Sequence, residues 1–217
     1  MIHSARGRVA MLVAIAAVTA GCTGGSSTTS FGTGSTAPTT SGSACPTAQP
    51  PALPGGETRT VAIETEKGTI TLTIQGALSP IAAGNFVALA GCGFYNGVVF
   101  HRAATLDDGT PFVIQGGDPT GTGTGGPGYT IQDEPVTATY RRGTVAMART
   151  DAPNSVGSQF FIVLDDRVQR VLAAYNTYQI IGDVSRGMEA VDAIYAAADG
   201  QLPSNPVKMT RVTVANP

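Results

Sequence analysis

The chain has 217 residues, a formal net charge of −2, 42% hydrophobic and 13% charged residues, which suits one compact domain of ordinary size plus an extension. Of the 13 Lys and Arg only Arg6 and Arg8 precede Glu57, whereas all 15 Asp and Glu lie from Glu57 onward, so the folded part is mildly acidic and nucleic acid is not an expected partner. His3 and His101 are far apart, and Cys22, Cys45 and Cys92 form no CxxC or Cys/His spacing, so neither a metal nor another cofactor is expected.

MIHSARGRVAMLVAIAAVTAGC opens with Arg6 and Arg8, runs apolar from Val9 to Val18, and ends on small residues before Cys22. That layout predicts a secretory leader over 1–21, since the run is short of the ~20 apolar residues a membrane span needs. TAGC resembles a bacterial lipobox, with Thr19 where leucine is usual. The resemblance implies a lipid on Cys22 and a membrane anchor outside the cytoplasm; cleavage that leaves Cys22 free, giving a secreted protein, is the alternative. Residues 22–56 are rich in Gly, Ser, Thr and Pro and carry no charge, so they read as a flexible tether with a reach of about 30 Å. Cys45 interrupts this stretch. In an oxidising compartment it can pair with Cys92; equally, Cys92 can be a small buried hydrophobe.

From residue 57 the pattern becomes that of a domain. TVAIETEKGTITLTIQ, Thr60 to Gln75, alternates apolar and polar residues on both sides of Lys67-Gly68 and predicts a β-hairpin. Ser79 then Pro80 supply an N-cap and a first helical residue, and Ile81, Phe86, Val87 and Leu89 make a stripe that stops at Gly91. Val98 to Phe100 and Phe112 to Gln115 are apolar runs around TLDDGTP, whose Asp107-Asp108-Gly109 signals a turn. Paired as two strands they bring Arg102 close to Gln115, a donor-rich spot able to hold a carbonyl oxygen. His101, with no nucleophile motif beside it, reads as structural.

GTGTGG mimics part of a dinucleotide fingerprint, but Pro127-Gly128 stands where a helix must open and YTIQDE then alternates like a strand. Its glycines read instead as a loop needing unusual backbone angles. TVAMA (Thr144 to Ala148) and QFFIVL (Gln159 to Leu164) are two further strands, Asp165 to Thr177 is irregular, and Tyr178 to Val184 resumes strand character. Met188 to Ala198 is helical by spacing, and Lys208 to Val214 closes the chain as a strand. Many short strands with two helices predict a mainly β, closed antiparallel barrel.

FHR, FVIQGGDP, GTGTGG, GTVAMAR and SQFFIVL, in that order between Phe100 and Leu164, resemble the cyclophilin family of peptidyl-prolyl cis/trans isomerases, with weaker matches from Val61 to Val214. The resemblance implies an eight-stranded barrel capped by two helices over residues 57–217. It also implies Arg102, Gln115 and Phe112 as catalytic residues. Val113 and Phe161 complete a proline pocket whose walls include Tyr178 and Leu172, and backbone groups of Ala148 and Arg149 bind the residues before proline. By the same match Phe161 faces the groove and Phe160 the core, as strand alternation requires.

This chain departs from the family pattern in four ways. Tyr178 stands where histidine is common, Arg149 where asparagine is common, tryptophan is absent from the whole chain, and TLDDGTP is longer than usual. Arg149 is expected to add charge beside the groove. The implied partners are proline-containing segments of client proteins, bound by a monomer. A proline-peptide-binding module with little turnover is the competing reading, and Arg102 favours the enzyme because a pure binder needs no such donor.

Overall fold

The computed structural model describes residues 44–215; the leader over 1–21, Cys22 and the tether as far as residue 43 lie outside the described residues. Eight strands, β1 (Thr58–Thr65), β2 (Gly68–Gln75), β3 (Arg102–Thr105), β4 (Pro111–Gly116), β5 (Thr144–Met147), β6 (Phe160–Val163), β7 (Ile180–Arg186) and β8 (Met209–Ala215), form one sheet. Its order is β3-β4-β6-β5-β7-β2-β1-β8, antiparallel throughout. The hairpin β1–β2 turns at Glu66-Lys67, with Thr65 opposite Gly68.

Among the described residues three helices accompany the sheet, not two: α1 (Pro80–Gly91), α2 (Gln169–Tyr175) and α3 (Met188–Ala196). The segment read as irregular holds a 3₁₀ turn, Asp166–Val168, that runs into α2. Its seven residues were too few to display a helical period, and the helix rests on one buried anchor, Leu172. Two further expectations change. YTIQDE forms no strand and keeps only a single bridge, Ile131 to Val156. Strand β3 begins at Arg102, so the apolar run Val98 to Phe100 precedes it.

The sheet is open rather than a closed barrel. Its end strands β3 and β8 share no ladder. What joins that seam is irregular backbone: Val99 bridges Lys208, the Phe100 N–H donates to Val207 O at 2.9 Å, and the Ala103 N–H donates to Gln201 O at 3.0 Å. The segment between α3 and β8 therefore fills the place where a closed barrel would have strand pairing.

One face of the sheet packs on α1 and α3. Phe160 meets Phe86 edge-on at 5.1 Å between ring centres, and Tyr95 and Phe100 lie against it at 5.7 and 6.1 Å. Ser79 does occupy the α1 N-cap position with Pro80 after it, but its hydroxyl makes no capping bond. The free N–H groups of Ile81 and Ala82 are met by the Glu134 carboxylate at 2.8 and 2.9 Å. A carboxylate satisfies two donors and sits at the favourable end of the helix dipole, a partner invisible at the helix start itself.

The stretch 44–56, assigned to the tether by composition, is laid on the domain. Leu53 is buried in the core and its N–H donates to Pro80 O at 2.9 Å, while Gln49 Oε1 accepts from the Gln132 N–H at 2.9 Å. The approach is close enough to require glycine, since a Cβ on Gly84 would come within 2.3 Å of Pro51 O. Cys45 and Cys92 form a disulfide across 47 residues, which fastens this strap to the end of α1. Closing a loop of that length is worth up to about 4 kcal/mol in the chain-entropy picture. Replacing both cysteines by serine is expected to lower stability by about 2–4 kcal/mol, read as a lower urea midpoint with a steeper slope, because the unfolded chain freed of the cross-link exposes more surface.

Candidate active site

The antiparallel register assembles a row of side chains from three neighbouring strands. Arg102 on β3 lies opposite Gln115 on β4, and Gln115 lies opposite Phe161 on β6. Side chains opposite one another share a sheet face, so the arginine, the amide and the ring stand side by side. Phe160, one residue away, points into the core instead.

Phe112 reaches the same site by a different device. Arg102, Ala103 and Ala104 pair with Gln115, Ile114 and Val113, but Thr105 pairs with Pro111, so Phe112 is an extra residue with no partner in β3. Such a bulge redirects a side chain, and Phe112 lines the site together with its neighbour Val113 rather than alternating with it.

A concavity of 150 Å³ results, lined by Arg102, Phe112, Val113, Gln115 and Phe161, with Ala148, Arg149, Leu172 and Tyr178 completing its wall. All nine residues singled out for catalysis and substrate binding are thus brought together. Tyr178 packs edge-on against Phe161 at 5.4 Å, and its carbonyl accepts from the buried Tyr140 hydroxyl at 2.9 Å. Burial pushes that Tyr140 hydroxyl up to about 12, so it stays a donor. Leu172 arrives on α2, whose Arg170 pairs at 2.5 Å with Asp108 of the long TLDDGTP turn. The turn and the helix are therefore tied together at the pocket's rim.

The guanidinium is held by a relay of amides. Arg102 Nη1 donates to Gln115 Oε1 at 3.1 Å, Gln115 Nε2 donates to Gln159 Oε1 at 2.9 Å, and Gln159 Nε2 donates to the carbonyls of Gly123 and Gly125 at 3.0 and 2.9 Å. Gln159 was not singled out from sequence; the signal was a polar residue heading an apolar strand. Burial lowers the Arg102 pKa, yet a guanidinium remains charged at any physiological pH.

The relay ends on the glycine-rich loop, and Asp118 shapes that loop. Its buried carboxylate accepts from the N–H groups of Thr120, Thr122, Gly123 and Gly125 at 2.7, 3.1, 2.6 and 3.0 Å. Burial opposes its ionisation, but hydrogen bonds led by those of Gly125 and Thr120 outweigh it and hold the carboxyl far below the usual carboxylate range. Gly125 is obligatory because a Cβ there would lie 2.1 Å from Asp118 Oδ1. The anion the loop embraces is thus its own side chain. The loop also walls a second, larger groove of 630 Å³, which shares Gln115, Ala148 and Arg149 with the pocket.

One expectation is corrected here. Arg149 does not present its charge to the groove: Nη1 pairs with Asp133 Oδ1 at 3.0 Å, Nε and Nη2 donate to the carbonyls of Thr150 and Ala152, and the side chain is only 11% exposed. The Ala148 N–H is engaged by Gln159 O at 2.9 Å, which narrows the expected backbone contacts to the remaining groups of Ala148 and Arg149. His101 lines neither cavity. It is buried with both ring nitrogens lacking a hydrogen-bond partner, and burial lowers its pKa, with Arg102 adding to that and Asp118 opposing it.

A histidine kept neutral in the fold but free to protonate when unfolded makes stability full above about pH 6.5, and stability falls as pH drops from there towards the lowered folded value. Replacing His101 with Gln is therefore expected to flatten the loss of melting temperature just below about pH 6.5, while leaving the steeper loss from carboxylates at lower pH.

A family profile described as "Cyclophilin type peptidyl-prolyl cis-trans isomerase/CLD" matches residues 60–214. A peptidyl-prolyl cis-trans isomerase of Arabidopsis thaliana is 36% identical over 169 residues, covering 75% of this chain and 98% of its own. A putative bifunctional phosphatase/peptidyl-prolyl cis-trans isomerase of Streptococcus pyogenes is 42% identical over 112 residues, which is 50% of this chain but only 23% of that protein. The chain thus spans less than a quarter of the one relative and nearly all of the other. Among solved structures, a cyclophilin-type isomerase of Cryptosporidium parvum superposes with a TM-score of 0.65 at 30% identity, covering 74% of this chain and 100% of that one. That protein has also been crystallised in the presence of the dipeptide Ala-Pro.

Proposed function

The chain belongs to the cyclophilin-type peptidyl-prolyl cis-trans isomerases, and from that premise we propose that residues 44–215 turn over X-Pro bonds in client proteins outside the cytoplasm. The observation that carries the reading is a fixed cation lining a pocket of proline-ring size, walled by Phe112, Val113, Phe161 and Leu172 and continuous with an open groove.

Rotation about an X-Pro amide faces a barrier of ~18–20 kcal/mol because nitrogen and carbonyl are conjugated. No covalent bond has to break, so no nucleophile is required. The ring rests against Phe112, Val113, Phe161 and Leu172, which keep water from the amide. As the nitrogen turns pyramidal its lone pair becomes an acceptor, and a guanidinium N–H of Arg102 donates to it. This bond strengthens only towards the transition state, so it accelerates turnover rather than merely tightening binding. Gln115 and Gln159 hold the donor in place, which removes the need to reorganise it during rotation. The groove beside the pocket takes the residues before proline, and the internal Arg149–Asp133 pair leaves it without the charge expected there.

The test is cis-to-trans exchange of a short Ala-Pro peptide followed by NMR. Arg102→Ala is expected to lower kcat by about 100-fold with little change in melting temperature. No acceleration by the folded wild-type chain would leave proline-peptide binding as the activity of the groove.

The extracytoplasmic setting is supported by two independent features, the leader with its Cys22 and the Cys45–Cys92 disulfide, a bond rare in reducing compartments. In this reading Cys22 carries the lipid, the tether from 22 to about 43 spans the gap, and the strap marks where the domain begins; the domain acts as a monomer. Growth of cells with a clickable palmitate is expected to label the wild-type protein in the membrane fraction. Cys22→Ala is expected to abolish the label, and label retained by Cys22→Ala would remove the anchor from this account.

A further inference from the structure

Gln115 is one of two amides that touch the Arg102 guanidinium. On the opposite edge lies Gln201, in the segment between α3 and β8, whose carboxamide oxygen accepts from Arg102 Nε and Nη2, each at 3.1 Å. The orientation of that amide follows from its surroundings, because the reverse one would set its NH₂ against guanidinium donors and its oxygen against acceptors only. Gln201 is itself anchored. Its carbonyl accepts from the Ala103 N–H at 3.0 Å, and the turn that carries it is closed by Asp199, whose carboxylate accepts from the Ser204 N–H at 2.9 Å and from the Ser204 hydroxyl.

A guanidinium has five N–H groups. Gln115 takes one on Nη1, and Gln201 takes Nε–H and one on Nη2, so one N–H on each terminal nitrogen remains for a substrate. A single contact on Nη1 leaves the plane free to turn about the side-chain torsions. A second contact on the far edge, spanning two nitrogens, fixes the plane. We propose that Gln201 is a positioning residue for the isomerase reaction, locking the plane of Arg102 so that its two free N–H groups face the proline pocket. The proposal rests on the isomerase reading above. The backbone contact between Gln201 and Ala103 at the open seam sets the amide beside β3, next to Arg102.

The experiment uses the full chain, with NMR of the Arg102 Nε–Hε group alongside exchange kinetics on the Ala-Pro peptide. Gln201→Leu, which keeps the shape and deletes the acceptor, is expected to lower kcat about tenfold with KM changed less than about twofold. Its Nε–Hε proton should exchange with water faster than in the wild type. Gln201→Glu, which restores an acceptor for both nitrogens, should recover the protection of the Nε–Hε proton. Gln201→Asn is too short to reach and should behave like leucine, giving the same answer if the leucine chain does not fold. In an Arg102→Ala background Gln201→Leu should have no further effect.

Wild-type kcat and Nε–Hε protection in the leucine or asparagine chain would overturn the proposal. An equal loss of kcat in the Arg102→Ala background would do so too, since Gln201 would then act by another route. If the wild-type chain has no isomerase activity the parent reading fails by itself. The Nε–Hε signal then still decides whether Gln201 holds the guanidinium, with loss of protection in Gln201→Leu upholding the contact and its persistence overturning it.

Discussion

A guanidinium drawn partly out of water has to be held by acceptors, and at this site they are neutral amides. A carboxylate would bind Arg102 more strongly, but it would also compete with the weakly basic prolyl nitrogen for the same N–H groups. Gln115 holds the cation without cancelling its charge, and Gln159 holds Gln115 in turn. The relay ends on two carbonyls of the glycine-rich loop, so the geometry of the donor depends on a loop whose own shape depends on one buried carboxylate, Asp118. Removing that anion would leave four backbone donors unsatisfied, and an unmade buried hydrogen bond costs more than a made one contributes.

The sheet turns this chain of polar contacts into a site. Antiparallel register sets Arg102, Gln115 and Phe161 in a single row, and a bulge inserts Phe112 beside them. The same register assigns Phe160 to the aromatic core that stiffens the opposite face. Apolar packing on one side and an ordered polar row on the other are consequences of one two-residue period. Opening the sheet between β3 and β8 does not weaken this arrangement, because backbone hydrogen bonds from the α3–β8 segment occupy the edge.

Departures from the family pattern turn out to be locally compensated. Arg149 brings a charge beside the groove and Asp133, from the segment before β5, pairs with it. The long turn after β3 adds Asp108, and α2 meets it with Arg170. Tyr178 supplies an aromatic edge to Phe161, with its backbone secured by Tyr140. At the other end of the domain, Gly84 and the Cys45–Cys92 bond accommodate a strap that composition alone describes as a linker.

Local chemistry was enough to read the hairpin at Lys67-Gly68, the helix from Pro80, the separation of Phe160 from Phe161 and the approach of Arg102 to Gln115, because each depends on a period or a turn within a few residues. The family motifs added the proline pocket. Of the two readings open for Cys45 and Cys92, only the fold selects the bond. What lay beyond reach was set by partners distant along the chain. Glu134 rather than Ser79 caps α1, Asp133 takes the charge of Arg149, and Gln201 arrives behind Arg102 from a polar turn with no pattern to mark it. Sequence by itself determined which residues could do the chemistry, since residue type fixes donors, acceptors and apolar surface. Only the tertiary structure decided which of those groups are free, because a donor already satisfied from across the fold has nothing left to offer a substrate.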